Sequence, residues 1–393
     1  MFEDVLNYYL NETHSTACLS LAGGDSNHAV TAMGGAGEHS LYDLASLTKL
    51  FTGMTVMRLR EEGLLDLSRP VTAYAPQFTA LHRVTVDQVL GFEVSLLTPE
   101  RVDAQKSPED GLRQLFAIRP GEPSLRAYSD MHAMVLKYVI EGAAQEGYMD
   151  VLQSRILTPL GMAETFQVVP KERLGDCLSF DREHRVEHGA YILREGIAPG
   201  MPHDPKARTL WPEPCGHTGL FSTLTDMTKF CQGVLRCDVI SRESLRFMAR
   251  NRTGRRREDG AWTQFLGSQC YVRHPDQYFS EIPVYESDQA IGISGFTGHH
   301  LSIDPELHVF ALFLGNRVQD RLTVLIPEPG KAYADYGLNP DGTGQVLWPD
   351  GSRIWSSVNF AHLRDEHFHA SLATALGLRA WLPPAGYEWP SAR

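Results

Sequence analysis

Asp43-Leu44-Ala45-Ser46-Leu47-Thr48-Lys49 stands at the start of an apolar run that reaches Gly63. Hydrophobic residues recur in this run at the spacing of an α-helix and on most of its sides, which predicts a buried helix that ends at Gly63. Ser46 and Lys49 are three residues apart, and residues at that spacing share one face of a helix. The stretch therefore predicts a serine hydroxyl in contact with a lysine ammonium at the N-terminus of a buried helix.

A serine and a lysine in this arrangement suit nucleophilic catalysis. A hydroxyl that must become an alkoxide is helped by a neighbouring cation and by the positive end of the helix dipole. The Ser-x-x-Lys pattern alone is expected about once by chance in a chain of this length, and a capping serine with a solvated lysine would also explain it. Lys49, however, falls inside the apolar helix, and a buried lysine requires a partner. Its position therefore favours Ser46 as a nucleophile.

Composition limits the class of protein. The 393 residues are 42% hydrophobic and carry a formal net charge of −12, which allows a large core in one domain or two lobes. The short basic cluster at residues 252–257 is followed by two acidic residues, so no nucleic-acid partner is expected. No apolar stretch approaches the roughly 20 residues of a membrane span. We expect no membrane partner and no cofactor.

The first residues and the cysteines indicate a compartment. Met1-Phe2-Glu3-Asp4 has neither the basic start nor the apolar centre of a secretion signal. The six cysteines contain no Cys-x-x-Cys pair. We therefore expect free thiols in a cytoplasmic protein.

Secondary-structure patterns divide the chain into ends and a middle. Strand-like runs lie near both ends, at residues 16–22, 27–33, 263–273, 289–294, 299–303 and 308–314. Helical patterns fill the middle and the C-terminal end, at residues 109–118, 129–145, 148–157, 223–235 and 360–376. The segments 171–214 and 319–357 are polar or rich in Gly and Pro, and we predict that both are irregular.

Strands from both ends with helices between them predict an α+β fold, in which an antiparallel sheet is assembled from the two termini and a helical lobe is inserted. We predict a single domain over residues 1–393. Its sheet lobe comprises about residues 1–78 and 260–393, its helical lobe about residues 79–259, and an insertion lies at about residues 319–357.

A second chemical element is Tyr128-Ser129-Asp130, in a loop just before a predicted helix. A tyrosine in such a loop can point its hydroxyl into a cleft and carry protons for a serine nucleophile. Taken alone, such a tyrosine is about twice as often a half-buried residue with a satisfied hydroxyl.

These stretches together resemble the serine β-lactamase-like hydrolases, which include class C β-lactamases, D-alanyl-D-alanine carboxypeptidases and related esterases and transesterases. Ser46-Leu47-Thr48-Lys49 is similar to the family's Ser-x-x-Lys motif, and Tyr128-Ser129-Asp130 to its Tyr-x-Asn motif, in which many esterases have Asp. Other family landmarks are similar to Pro159-Leu160-Gly161-Met162, His203-Asp204-Pro205-Lys206-Ala207 and Gly216-His217-Thr218-Gly219-Leu220-Phe221-Ser222. The resemblance covers about residues 15–317 and the final helix, and implies the two-lobed β-lactamase/transpeptidase-like fold.

The third motif of that family, a strand with Lys or His followed by Thr-Gly, is altered here. The aligned stretch is Ile293-Ser294-Gly295-Phe296-Thr297-Gly298, so an isoleucine stands at the cationic position. His217-Thr218-Gly219 is not a substitute, because the residues after it place it in an earlier landmark. In penicillin-recognising relatives the cation helps to fix a substrate carboxylate. Its loss favours neutral esters or amides over β-lactams or D-Ala-D-Ala termini, although His299, His300 or an arginine from residues 182–208 could replace it.

The resemblance also implies roles for the site residues. Ser46 would be the acylated nucleophile, Lys49 and Tyr128 would share the general-base role, and the backbone N–H groups of Ser46 and Phe296 would form the oxyanion hole. The expected substrate-contacting residues are Asp130, Ile293, Ser294 and Gly295.

The expected function is that of a serine esterase, amidase or transesterase with a small acyl substrate, and the oligomeric state is left open. β-Lactamase or D-Ala-D-Ala carboxypeptidase activity is the alternative within the family. A catalytically impaired binding protein on the same fold is the alternative from another class.

One further motif suggests a metal. His184-Arg185-Val186-Glu187-His188 has the His-x-x-Glu-His spacing of a zinc protease. That motif requires an apolar helix, and its flanks here are polar and loop-like. We therefore expect no metal site.

Overall fold

The computed structural model describes residues 2–122, 127–275 and 280–378. The strands, in chain order, are β1 (Leu19–Gly24), β2 (Ala29–Gly34), β3 (Tyr42–Asp43), β4 (Ser95–Leu97), β5 (Arg119–Gly121), β6 (Arg182–Glu187), β7 (Ala190–Glu195), β8 (Phe221–Ser222), β9 (Ile291–Gly295), β10 (His299–Asp304), β11 (Val309–Gly315), β12 (Arg321–Ile326), β13 (Gln345–Leu347) and β14 (Arg353–Ser356). The α-helices are α1 (Glu3–Asn7), α2 (Thr48–Glu61), α3 (Val86–Leu90), α4 (Pro108–Phe116), α5 (Asp130–Ala144), α6 (Tyr148–Leu152), α7 (Pro205–Leu210), α8 (Leu224–Arg236), α9 (Arg242–Met248), α10 (Phe360–Arg364) and α11 (Ala370–Ala375).

The main sheet is antiparallel and has the order β2-β1-β11-β10-β9. β1 pairs with β11 so that Leu19 lies opposite Gly315, which joins the two ends of the chain. Successive side chains on a strand point to opposite faces. One face packs on α2 and α8, and the other packs on α1, α10 and α11. The predicted α+β fold, with a sheet built from both ends of the chain, is confirmed.

Helix α2 is the buried helix that the opening stretch predicts. Every residue from Thr48 to Met57 is buried, and the helix packs against α5 and α6. It ends as expected at Gly63, whose φ of +74° is a left-handed conformation that suits glycine. A 3₁₀ turn at Ala45–Leu47 precedes it and carries Ser46.

A second sheet has the order β13-β14-β12-β6-β7 and corrects two predictions. The segments 171–214 and 319–357 are not irregular, because each contributes strands to this sheet. β12 pairs in parallel with β6, and a small core that includes Val186, Leu322 and Trp348 lies on one side of the sheet. The strand predicted at residues 263–273 is also wrong, since only isolated bridges occur there. The lobe boundaries and the insertion stay predictions.

No helix among the described residues combines the length and the apolar character that crossing a membrane requires.

Candidate active site

The turn that carries Ser46 is held by the preceding aspartate. Ala45 adopts a φ of 46°, which is unfavourable for a residue with a side chain. Asp43, fully buried, accepts a hydrogen bond from the Ala45 N–H at 3.0 Å and another from the His203 N–H at 2.7 Å. Burial raises the pKa of Asp43. The aspartate therefore fixes the strained turn and attaches it to the segment that follows β7.

Lys49 lies directly beneath Ser46. Its Nζ is 2.9 Å from Ser46 Oγ, 3.3 Å from the carbonyl oxygen of His217 and 2.8 Å from Asp130 Oδ1, and its side chain is fully buried. Burial would lower the pKa of Lys49, but the Asp130 carboxylate and Tyr128 outweigh burial, so the pKa is raised. Lys49 is an ammonium at rest.

Tyr128 completes the group around the nucleophile. Ser46 and Lys49 are near enough to its hydroxyl to lower its pKa, and the Lys49 Nζ lies 4.9 Å from the centre of its ring. The ring is stacked between Phe92 and Tyr271, with centroid distances of 5.6 and 5.3 Å. Burial raises the pKa of Tyr128, and Lys49 offsets part of that increase. The phenol is therefore neutral at rest and held in place by two aromatic rings.

Behind these groups, positive and negative side chains alternate. The second oxygen of Asp130 lies 3.0 Å from Lys206 Nζ, which is 3.7 Å from Asp204. Asp204 Oδ1 in turn lies 3.1 Å from His217 Nε2. Although burial opposes ionisation, Lys49 and the other cations hold the pKa of Asp130 well below its usual range. We call Lys49, Asp130, Lys206, Asp204 and His217 the catalytic wall.

Two arrangements in the structure have the residue types of a metal site. Ligand atoms of Asp130, Asp204 and His217 lie within 4.8 Å of one another. The Lys206 ammonium already contacts both carboxylates, so this cluster is an ion-pair network. The His184–His188 motif lies on β6 and in the turn after it, not on a helix that could present both histidines.

The turn after β9 is pressed against the backbone that precedes Ser46. Thr297 Oγ1 donates to the carbonyl oxygen of Asp43 at 2.9 Å, and His299 Nε2 donates to the same oxygen at 2.6 Å. Burial lowers the pKa of His299 to about 4, so this imidazole is neutral. Phe296, in that turn, lines a cavity together with Ser46. The assignment of its N–H group to the oxyanion hole stays a prediction.

The structure corrects the prediction for three residues of β9, Ile293, Ser294 and Gly295. Ile293 is fully buried in the core beside α2, and Ser294 faces the opposite layer, where its hydroxyl contacts Glu281 at 2.5 Å and Arg364 at 2.9 Å. Neither Ile293 nor Ser294 lines the cavity. The cavity lies at the end of β9, whereas these two side chains point to the two faces of the sheet. Gly295 does not line it either. A Cβ there would come within 3.0 Å of the Leu44 carbonyl oxygen, so glycine permits the close approach of β9.

The cavity has a volume of about 290 Å³ and collects most of the predicted residues. Ser46, Tyr128, Asp130 and Phe296 line it, and Lys49 lies beneath it. Six further residues lie at the site: sequence reasoning assigned no role to His203, Asp204, Lys206 and His217, and it considered Arg185 and Arg194 only as arginines of residues 182–208 that could replace the missing cation. The resemblance to two family landmarks, at residues 203–207 and 216–222, was the only sequence signal for four of these six.

Comparisons with known proteins show the family and the fold of the chain. The protein-family model described as Beta-lactamase matches residues 10–325. The "Putative D-alanyl-D-alanine carboxypeptidase" of Salmonella typhimurium is 27% identical over 346 residues, covering 81% of this chain and 76% of that protein. Simvastatin synthase (LovD) from Aspergillus terreus aligns with a TM-score of 0.63 and 16% identity, covering 83% of this chain and 92% of that chain. EstCE1, "a hydrolase with promiscuous acyltransferase activity", aligns with a TM-score of 0.61 and 17% identity, covering 80% and 92%. The two solved structures share the fold.

Proposed function

The chain belongs to the beta-lactamase family, and from that premise we propose that it is a serine hydrolase that forms an acyl-enzyme on Ser46 from small esters or amides. One observation carries the proposal. Ser46 Oγ lies 2.9 Å from Lys49 Nζ, the Tyr128 hydroxyl is near both, and the serine opens onto a cavity. A hydroxyl with two proton-bearing neighbours and space for a substrate is the arrangement that nucleophilic catalysis needs.

Acylation begins with the loss of one proton from the Lys49–Tyr128 pair. Because Lys49 is an ammonium at rest, the form that reacts has the phenolate of Tyr128 stabilised by that ammonium. As Ser46 Oγ forms its bond to the substrate carbonyl carbon, its proton moves to the Tyr128 oxygen. Proton transfer of this kind contributes about 10²- to 10⁴-fold to rate.

Collapse of the tetrahedral intermediate releases the leaving group. The bond from the carbonyl carbon to the ester oxygen or amide nitrogen breaks, and the leaving atom takes the proton held by Tyr128. The backbone N–H groups of Ser46 and Phe296 would stabilise the negative oxygen, and losing one such donor costs on the order of 10²-fold or more. Water or an alcohol then attacks the acyl carbon and gives its proton to Tyr128. The bond from that carbon to Ser46 Oγ breaks, and Ser46 takes the proton back from Tyr128.

Covalent labelling tests this proposal. A fluorophosphonate probe should label the wild-type protein and should leave Ser46→Ala unlabelled. Labelling that persists in Ser46→Ala would place the nucleophile elsewhere. No labelling of a folded wild-type protein would favour a binding protein that has lost turnover.

Turnover assays rank the activities within the family. Comparing the rate for p-nitrophenyl butyrate with the rate for nitrocefin separates esterase from β-lactamase activity. Adding an alcohol as a second acceptor measures acyl transfer against hydrolysis. Release of D-alanine from a D-Ala-D-Ala peptide tests the activity for which the Salmonella relative is named.

A further inference from the structure

The hairpin of β6 and β7 forms one wall of the cavity and brings two guanidinium groups to it. Arg185 and Arg194 line the same cavity as Ser46. In the register of the hairpin, Glu183 lies directly opposite Arg194. Arg185 is two residues after Glu183, so its side chain projects from the same face of the strand. Glu183, Arg185 and Arg194 therefore form one charged surface, which we call the hairpin wall.

Glu183 is the carboxylate that faces both guanidinium groups of the hairpin wall, and Glu187, two residues after Arg185, adds a second carboxylate 3.1 Å from Arg185 Nη1. Glu183 has a side chain that is 1% exposed, and its oxygens lie 3.5 Å from Arg185 Nε and 3.6 Å from Arg194 Nη1. Thr323 and His203 also bind this carboxylate, at 2.5 and 3.2 Å. One buried carboxylate thus serves as the shared counterion of two guanidinium groups, and both contacts are longer than a good hydrogen bond.

The two arginines retain donors that no described side chain uses. The buried Arg185 Nε has no hydrogen-bond partner, although Arg185 Nη1 lies 3.1 Å from Glu187. The Arg194 side chain makes no hydrogen bond within the described residues, and it is 48% exposed at the cavity. A guanidinium presents a planar fork of donors that matches a carboxylate, and such charge-assisted pairs are the stronger hydrogen bonds in proteins.

We propose that Arg185 and Arg194 form a subsite for a carboxylate group of the substrate whose carbonyl carbon reacts at Ser46. This inference rests on the proposed function and narrows it to acyl donors with a negative charge. It also revises the expectation of neutral substrates drawn from Ile293. The positive charge missing from β9 is supplied from the hairpin instead.

Matched pairs of esters test the subsite. The carboxylate can come from the acyl group or from the leaving group, so each source has its own pair. The first pair is the 4-nitrophenyl monoester of glutaric acid against 4-nitrophenyl butyrate. The second is 4-carboxyphenyl butyrate against its methyl ester, 4-(methoxycarbonyl)phenyl butyrate. The measured quantity is the ratio of kcat/KM for the charged ester to kcat/KM for its neutral partner.

In the wild-type protein we expect the charged ester to be preferred in one of the two pairs. Arg194→Met should lower that ratio about 10- to 100-fold, the effect of losing one or two charge-assisted hydrogen bonds. The neutral ester should lose less than the charged ester, because it has no carboxylate for Arg194 to bind. Arg185→Met should act in the same direction, and Arg194→Met is the primary variant because substitution of its half-exposed side chain leaves the core intact.

Arg182→Met is the matched control. Arg182 lies on the same hairpin and carries the same charge, but it pairs with Asp320 at 3.1 Å and does not line the cavity. It should leave the ratio unchanged. The subsite would be overturned if the ratio fell equally in Arg182→Met and Arg194→Met, or did not fall in Arg194→Met. Turnover of the neutral esters would still support the proposed function in that case. No turnover of any of the four esters would contradict the proposed function itself.

Discussion

The two charged walls of the cavity differ in how completely their charges are paired. On the catalytic wall each carboxylate lies between two basic groups, from Lys49 through Asp130 and Lys206 to Asp204 and His217. On the hairpin wall two guanidinium groups share Glu183, at distances of 3.5 and 3.6 Å. The first wall is closed by its own ion pairs, and the second has donors left for a ligand.

This difference indicates a division of work. Charges that are already paired hold their neighbours in fixed protonation states, which suits the proton transfers at Ser46. Charges that are incompletely paired suit binding, because a ligand can take the unused donors. Changes in the catalytic wall should therefore alter rate and pH dependence for every substrate. Changes in the hairpin wall should alter the preference among substrates.

The largest effect is expected when the lysine under the nucleophile is removed. Lys49→Met should lower kcat/KM for p-nitrophenyl butyrate by about 10³-fold or more, because the ammonium stabilises the phenolate and the developing negative charge. An equal loss of kcat/KM for charged and neutral esters would support the assignment of rate, and not substrate preference, to the catalytic wall. A loss confined to the charged ester would contradict the assignment of rate to the catalytic wall and of substrate preference to the hairpin wall.

Acid should weaken the hairpin wall through its single carboxylate. The surrounding cations and hydrogen bonds outweigh burial and hold the pKa of Glu183 at about 2, below its ordinary value of 4.5. A lowered pKa contributes stability that is present above the ordinary value and is lost as pH falls through the lowered one. The free energy of unfolding should therefore decrease between about pH 4.5 and pH 2, and this carboxylate should account for about 2–3 kcal/mol of the decrease.

Denaturant titrations at several pH values measure this contribution, with Glu183→Gln as the comparison. The variant has no carboxylate to protonate at this position, so its stability should fall less steeply over the same range. Parallel pH dependence in the two proteins would show that Glu183 has an ordinary pKa, and that the hairpin wall is held by other contacts.

The main sheet and the helix behind Ser46 could be predicted because their signals are local. Short strand-like runs bounded by turn residues identified the strands at both ends, and 3.6-residue periodicity identified α2 and α5. The three-residue spacing at the start of α2 was enough to bring Ser46, in the 3₁₀ turn, to Lys49. Each of these signals lies within a short window of the sequence.

The second sheet and the hairpin wall could not be predicted in that way. β6 pairs with β12, which lies far away in sequence, and the polar composition of both segments hides their strand character. The direction in which Ile293 and Ser294 point depends on where the cavity meets β9, and alternation alone does not locate that point. Lys206 belongs to no periodic pattern, so only its place in a family landmark indicated that its segment mattered.

A smaller effect is expected from the carboxylate of the catalytic wall. Asp130 raises the pKa of Lys49 and of Tyr128. In Asp130→Asn both groups should lose a proton more easily, so the alkaline rise of kcat/KM should move to lower pH by about one unit. The pH–rate profile for p-nitrophenyl butyrate measures this shift of the alkaline rise. Asp288→Asn, which removes an exposed carboxylate outside the cavity, should leave the profile in place.

The smallest effect, of opposite sign, is expected from Lys206. Its ammonium lies 3.0 Å from the Asp130 oxygen that does not face Lys49, so it offsets part of the negative charge that Lys49 and Tyr128 experience. In Lys206→Met the full charge of Asp130 acts on the pair, its protons are held more tightly, and the alkaline rise should move to higher pH by about half a unit. The shift is smaller than that of Asp130→Asn because Lys206 is one step further from the proton that moves. Lys206→Arg keeps the positive charge and should restore the profile. A shift to lower pH in Lys206→Met, or one that Lys206→Arg fails to reverse, would mean that Lys206 shapes the wall by packing and not by charge.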